Sequence, residues 1–255
     1  MNSEKLILVT NDDSVSAKGI HALVEVATQF GRVVVVAPDK PQSGMGHAIT
    51  IGHPLRLQKN NLFGSIEAYA CSGTPVDCVK LAIYELFKGK PDLILSGINH
   101  GENTSTNVLY SGTMSAAIEG AMEGIPSIGF SLADYNADAD FESAQFFSQQ
   151  LIKAAFDNPF PKNVCLNVNV PKLKKEAVKG IKFTHQAHAF WADSFIKRED
   201  QFGKNYYWLT GEFSNVDIRE NTDLHAMKDG YVSVVPTQFD LTAYAQMNEF
   251  KQWKI

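Results

Sequence analysis

Leu6-Ile7-Leu8-Val9-Thr10-Asn11-Asp12-Asp13 runs from four consecutive apolar residues into an amide and two carboxylates. An apolar run without alternation suits a strand buried on both faces, as in a parallel sheet covered by helices. A helical pattern follows over Ile20–Phe30, with Gly31 as its expected C-cap, and then a second apolar strand, Val33–Ala37, ended by Pro38. The chain thus opens as strand, loop, helix, strand, the unit of a doubly wound α/β sheet.

The same grammar continues. Ile66–Ala70 reads as a strand, and Ser72-Gly73-Thr74-Pro75 starts a helix running to about Phe87. Thr74 is its expected N-cap, with Pro75 at the first helical position and Asp77 in the first turn. Strands are expected at Asp92–Ile98, Ser127–Leu132 and Val164–Val170, and helices at Thr113–Glu123 and Phe141–Asn158. After about residue 172 the pattern changes. Ile181–His188 and Tyr206–Thr210 read as hairpin strands, Tyr231–Val235 as a returning strand and Asp240–Trp253 as a terminal helix. The expectation is a Rossmann-like three-layer α/β core with a mostly parallel sheet over residues 1–175, and a C-terminal extension over 176–255.

Composition narrows the function. A chain of 255 residues with 44% hydrophobic and 20% charged content can bury a full core. Its net charge of -5 disfavours binding to long nucleic acids. Cys71, Cys78 and Cys165 are widely spaced and include no C-x-x-C, which reads as reduced thiols. The opening segment is too short in apolar residues for a signal peptide, and no run approaches the length of a membrane span. A cytoplasmic protein is expected. The sequon Asn103-Thr104-Ser105 reads as chance.

Ligands of open α/β sheets bind beyond the carboxyl ends of the strands. That rule selects Asn11-Asp12-Asp13, the loop Asp39–His47 and the segment from Asn99 to Thr113. Adjacent carboxylates repel unless a cation lies between them, and a hard divalent ion takes oxygen ligands. Asp12 and Asp13 are therefore candidate metal ligands, with Ser43 and Asn99 as neutral oxygens. A turn after a strand is the plainer reading of the Asp-Asp pair. Ser111-Gly112-Thr113-Met114-Ser115 precedes a helix, where free backbone N–H groups and hydroxyls suit an anion; an ordinary N-cap is the plainer reading there. His47 and His100 flank these loops. The Walker A motif, the dinucleotide G-x-G-x-x-G and the nucleophile elbow are all missing. Asp134-x-Asn136-x-Asp138 lacks the glycine and glutamate of a calcium loop.

Taken together and in order, LILVTNDDSVSAKG (6–19), VAPDKPQSG (36–44), SGTPVDC (72–78), LSGINHGEN (95–103), YSGTMSAA (110–117) and DGYVSVVPTQFDLT (229–242) resemble the SurE family across nearly the whole chain. The resemblance implies a metal-dependent nucleotidase acting on nucleoside 5′- and 3′-monophosphates, with acid-phosphatase activity. It implies one Mg²⁺ or Mn²⁺ per subunit held by Asp12, Asp13, Ser43 and Asn99, a catalytic set of Asp12, Asp13 and Asn99, and phosphate contacts from Asn11, Gly44, Ser111, Gly112, Thr113 and Ser115. It also implies a homodimer or a tetramer, with the C-terminal extension exchanged between subunits. The expected nucleophile is water with Asp12 or Asp13 as base; the alternative is a phosphorylated aspartate. A non-catalytic nucleotide-binding module and a nicotinamide-dependent oxidoreductase are the rival readings. Ser14 departs from the family, which has glycine there; a positive φ would cost serine on the order of 1 kcal/mol. Phe190, Trp191 and Tyr207 could stack on a base, with packing between subunits the favoured role.

Overall fold

The computed structural model describes residues 4–87 and 89–253. The apolar opening run forms β1 (Leu6–Thr10), in which Ile7, Leu8 and Val9 have no exposed surface. Burial of one such side chain contributes about 1.5–3 kcal/mol, so β1 belongs in the middle of a sheet. In chain order the remaining strands are β2 (Arg32–Pro38), β3 (Leu57–Lys59), β4 (Glu67–Cys71), β5 (Leu93–His100), β6 (Ser127–Leu132), β7 (Val164–Val170), β8 (Ile181–Phe183), β9 (Ala189–Glu199), β10 (Asn205–Asn215) and β11 (Val232–Gln238). The helices are α1 (Lys18–Ala27), α2 (Pro75–Leu81), α3 (Gly112–Met122), α4 (Glu142–Asp157), α5 (Asp223–Lys228) and the single turn α6 (Met247–Phe250).

Among the described residues, nine strands form one sheet in the order β3-β4-β2-β1-β5-β6-β7-β11-β8, and β9 pairs with β10 in a separate antiparallel ribbon. The pairings from β4 across to β7 are all parallel, whereas β3 on β4 and β11 on β7 are antiparallel. Alternation along β1 divides the core. Ile7 and Val9 face a layer that includes Leu23 of α1 and Phe147 and Leu151 of α4. Leu8 faces the opposite layer, with Val79 of α2 and Ala116 of α3. The expected three-layer α/β core with a mostly parallel sheet is what the chain adopts.

The capping residues of α2 act as their chemistry dictates. Thr74 Oγ1 accepts from Asp77 N at 3.2 Å while Asp77 Oδ2 accepts from Thr74 N at 2.9 Å. Gly31 has another role than the one its sequence position suggests. Helix α1 ends at Ala27 with Thr28 as its C-cap, and glycine is required at 31 because a Cβ there would lie 2.3 Å from the Lys5 carbonyl oxygen.

The C-terminal strands differ from their sequence reading. The hairpin pairs Ala189–Glu199 with Asn205–Asn215, and Ile181–Phe183 instead joins the main sheet beside β11. Both faces of the hairpin are largely exposed, so apolar and aromatic residues occur on each and erase the alternation that marks a strand. The expected helix over Asp240–Trp253 shrinks to a 3₁₀ turn at Tyr244–Gln246 and α6, with every residue exposed. A short helix with no face to bury is not stable.

Gly19, early in α1, lets that helix lie against the end of β5: a Cβ there would be 1.9 Å from the Ile98 carbonyl oxygen. The expected outcome for Gly19→Ala is a loss of about 3 kcal/mol, read by urea unfolding. Wild-type stability in that variant would show that helix and strand separate without cost.

Candidate active site

Chain order turns about β1 and β5: β2 and β4 extend the sheet to one side, β6 and β7 to the other. A crevice opens at the carboxyl ends of the strands at such a switch point. Asp12, just beyond β1, is 4% exposed. Its Oδ1 accepts from Thr113 Oγ1 at 2.5 Å, and its backbone carbonyl accepts from Gln42 N at 2.7 Å, beside Ser43. A Cβ on Gly112 would lie 2.6 Å from Asp12 Cβ and 2.9 Å from its Oδ2. Glycine at the start of α3 therefore lets the carboxylate seat against the helix end.

Asp13 is half-buried, and its Oδ2 accepts from His100 N at 3.1 Å. Asn99 emerges at an irregularity in β5, where the register against β6 shifts between Ser96 and Asn99. Such a shift re-aims a side chain at a strand end. Asn99 Nδ2 donates to the carbonyls of His100 (3.2 Å) and Gly101 (2.7 Å), which leaves Oδ1 for another partner. Asn11 Nδ2 donates to Ser14 O at 2.8 Å, while Asn11 Oδ1 is buried with no hydrogen-bond partner among the described residues. Thr10 and Ser96, paired in register at the strand ends, likewise have unpartnered hydroxyls.

Burial, and next the neighbouring Asp13 charge, push Asp12 up from 3.8 to about 6, against the lowering effect of the Thr113 hydroxyl and backbone N–H. Burial also raises Asp13, opposed chiefly by the His100 N–H. Both carboxylates are therefore short of positive charge. Among the described residues no group of three or more His, Cys, Asp or Glu could surround an ion. The donor set fits a hard cation with two charged and several neutral oxygens, Ser43 and Asn99 among the latter, and does not fit a thiolate or imidazole site.

Ser111 caps α3: its Oγ accepts from Met114 N at 3.1 Å. Ser115 Oγ donates to Ser111 O at 2.7 Å, so this hydroxyl is turned onto its own helix. Met114 N–H is taken by the Ser111 cap and the Thr113 N–H by Asp12, so the positive end of the helix dipole is what attracts an anion here. Ser43 and Gly44 are exposed in the loop after β2, and Gly46 N in that loop donates to Tyr110 O at 3.1 Å. Neither histidine ring is hydrogen-bonded to Asp12 or Asp13. His47 Nε2 lies 2.9 Å from buried Glu119, which also accepts from Lys80, and His100 Nδ1 lies 3.2 Å from Asn136 O.

The sequence reading misses the residues that fix the loop after β5. Asn103 N donates to Asn169 Oδ1 at 2.7 Å, Asn103 Nδ2 to Ser131 Oγ at 2.9 Å, and Asn167 Nδ2 to Asn103 O at 2.8 Å. Asn167 and Asn169 alternate on one face of an otherwise apolar strand, and that Asn-x-Asn spacing is the signal that could reveal them. The sequon asparagine Asn103 is thus a buried structural residue. Ser14 has φ 95°, so the strained alternative at this position is the one realised.

Asp12 seated against a helix N-terminus, with Asp13 beside it at the switch point of a doubly wound sheet, is the layout of an enzyme handling small anionic substrates. The family model described as Survival protein SurE matches residues 7–193, and the chain belongs to that family. A relative from Flavobacterium johnsoniae, named 5′-nucleotidase SurE, is 56% identical, covering 100% of this chain and 99% of the relative. One of the same name from Cytophaga hutchinsonii is 55% identical, covering 99% and 98%. The crystal structure of the Sure protein from Aquifex aeolicus superposes with a TM-score of 0.83 at 40% identity, covering 96% of this chain and 98% of that one.

Ser14→Gly should remove backbone strain and stabilise the protein by about 1 kcal/mol; thermal unfolding with no gain would show that the Ser14–Ser16 hydroxyl contact (3.0 Å) compensates. The Asp12 penalty has a definite sign. A carboxyl raised on folding is unpenalised below its unfolded value and fully penalised above its folded one. Asp12→Asn is therefore expected to stabilise the metal-free protein by about 1–3 kcal/mol at pH 8 and by little at pH 4. Melting in EDTA at the two pH values measures this; an equal effect at both would remove Asp12 ionisation as the cause.

Proposed function

We propose that this protein is a divalent-metal-dependent phosphomonoesterase that hydrolyses nucleoside 5′-monophosphates, and 3′-monophosphates as well, to nucleoside and phosphate. The observation that carries this reading is the seating of Asp12, one of two adjacent under-neutralised carboxylates, against Gly112 and Thr113 at the anion-attracting end of α3. The name 5′-nucleotidase borne by relatives covering the full chain supports it.

Asp12, Asp13, Ser43 and Asn99 would hold one Mg²⁺ or Mn²⁺. Bound there, a hard divalent ion supplies Lewis-acid activation at the phosphoryl group. The start of α3, with Gly44 and Asn11, receives the remaining phosphate oxygens and offsets the charge they carry as the ester bond breaks. Asp12 is locked by Thr113, whereas Asp13 is partly open to solvent, so Asp13 is the carboxylate that takes the proton of the attacking water. The water oxygen bonds to phosphorus, the ester oxygen leaves, and the nucleoside departs with a proton from solvent.

The protein works as a cytoplasmic homodimer, or a tetramer built from it, with a catalytic core over 1–175 and an extension over 176–255 whose hairpin reaches the partner subunit, while β8 and β11 stay in their own chain's sheet. Three buried free thiols suit a reducing compartment. Exposed Phe195, Ile196, Trp208 and Leu209 give the hairpin apolar surface of the kind found at interfaces. No described helix is long and apolar enough to cross a membrane.

Phosphate release from AMP, GMP and 3′-AMP is expected, abolished by EDTA and restored by Mg²⁺ or Mn²⁺. Asp12→Asn should lower kcat on the order of 100-fold or more with the fold retained. Release that survives EDTA, or wild-type turnover in the variant at saturating metal, would overturn the reading.

A further inference from the structure

A cavity of 680 Å³ adjoins the proposed phosphate site. Gly44 forms part of its wall, together with Leu109 and Tyr110 from the turn that leads into α3, and Phe190, Trp191 and Asp193 from the root of the hairpin. Tyr110 immediately precedes the Ser111 cap and is 61% exposed, although it is large and aromatic. One end of the cavity is thus shared with the phosphate loop, and its sides are aromatic.

This wall is built and held. Buried Ser105 Oγ lies 2.9 Å from Ala187 O and 2.8 Å from Ala189 O, and accepts from Ala189 N at 2.9 Å. The buried Asp223 carboxylate accepts from Ser105 N at 2.8 Å and Ala187 N at 3.0 Å. The hairpin root is therefore fastened to the loop after β5 through interior hydrogen bonds. Trp191 is oriented twice over: Nε1 donates to Asn107 Oδ1 at 2.9 Å, and its ring packs on Phe213 with centroids 5.5 Å apart. On the facing strand, Gly211 has no side chain and needs none, since a Cβ would lie 2.7 Å from Ala192 O.

We infer that this cavity is the nucleoside subsite of the proposed phosphomonoesterase, with the base against Tyr110 and Trp191 and the sugar toward Asp193. The inference rests on that reading of the phosphate site and deepens it. A base presents a π-face to aromatic rings, and its sugar hydroxyls donate to a carboxylate. No lining residue is cationic, and Asp193 repels further negative charge. The cavity thus suits a neutral nucleoside carrying one phosphate at its Gly44 end, rather than a chain of phosphates. Tyr207 does not line it, so the stacking surface comes from the hairpin root and from Tyr110.

The test compares two substrates that share the phosphate chemistry and differ in the base: AMP and glycerol 2-phosphate. In Trp191→Ala the ratio of kcat/KM for AMP to that for glycerol 2-phosphate should fall at least ~10-fold, as loss of one stacking surface implies. Tyr110→Ala should do the same, and Trp191→Phe should restore most of the ratio. Equilibrium dialysis with adenosine reads the subsite without turnover: wild type binds, and Trp191→Ala binds at least ~10-fold more weakly. An unchanged ratio with unchanged adenosine binding overturns the subsite. So does an equal loss on both substrates with a shifted elution volume, which would make the cavity a contact between copies of the chain. Adenosine binding that depends on Trp191, in a protein that releases no phosphate from either ester, supports the subsite and sinks the phosphomonoesterase reading instead.

Discussion

Asp12 sits almost wholly out of water, touching the first turn of α3 where only a glycine leaves room and hydrogen-bonded to Thr113. That contact joins the end of β1 to a helix residue 101 positions later in the chain. It also costs stability, because a carboxylate in this position is displaced toward neutrality and its neighbour Asp13 repels it. The fold carries this cost at its most constrained point, between two parallel strands and against a helix end. Strain that persists where packing over-determines it is characteristic of working sites, and the positive φ of Ser14 two residues on belongs to the same locality.

Around that pair, rigidity is distributed unevenly. The strands and the two helical layers are held by apolar burial, while the loops at the carboxyl edge are held by interior hydrogen bonds. Asn103, Ser131, Asn167 and Asn169 fasten the segment after β5. Asp77 does similar work across the sheet, capping α2 and accepting from the backbone and hydroxyl of Thr50. Each anchor is satisfied by named partners, so these loops are positioned ahead of any ligand rather than ordered by it, which lowers the entropy cost of binding.

Much of this was legible in the residues. Leu6–Val9 and Val33–Ala37 announce buried parallel strands because no polar residue interrupts them. Thr74-Pro75-x-Asp77 announces a helix start because each residue has a distinct local reason to be there. The paired aspartates and the Ser-Gly-Thr start of α3 could be placed at one edge by the strand-end rule alone. Their mutual contact could not, since it depends on how close a helix comes to a strand, and that is decided by a missing Cβ. The extension was read least well. Residues 189–215 have no buried face to impose a period, and residues 240–253 have no partner surface within the described chain. Burial writes patterns into sequence; where a segment is solvated on both sides, the pattern is lost.

The division between core and hairpin root has an evolutionary consequence. The proposed site depends on β1, β5 and α3, where a change of one methyl group meets backbone or a buried carboxylate. Phe190, Trp191 and Asp193, in the wall of the neighbouring cavity, come instead from the root of the ribbon. On the proposed reading, exchange of Phe190, Trp191 or Asp193 changes which leaving group is accepted while the residues around Asp12 stay as they are. On that reading, choice of substrate and mechanism of cleavage lie on separate stretches of chain.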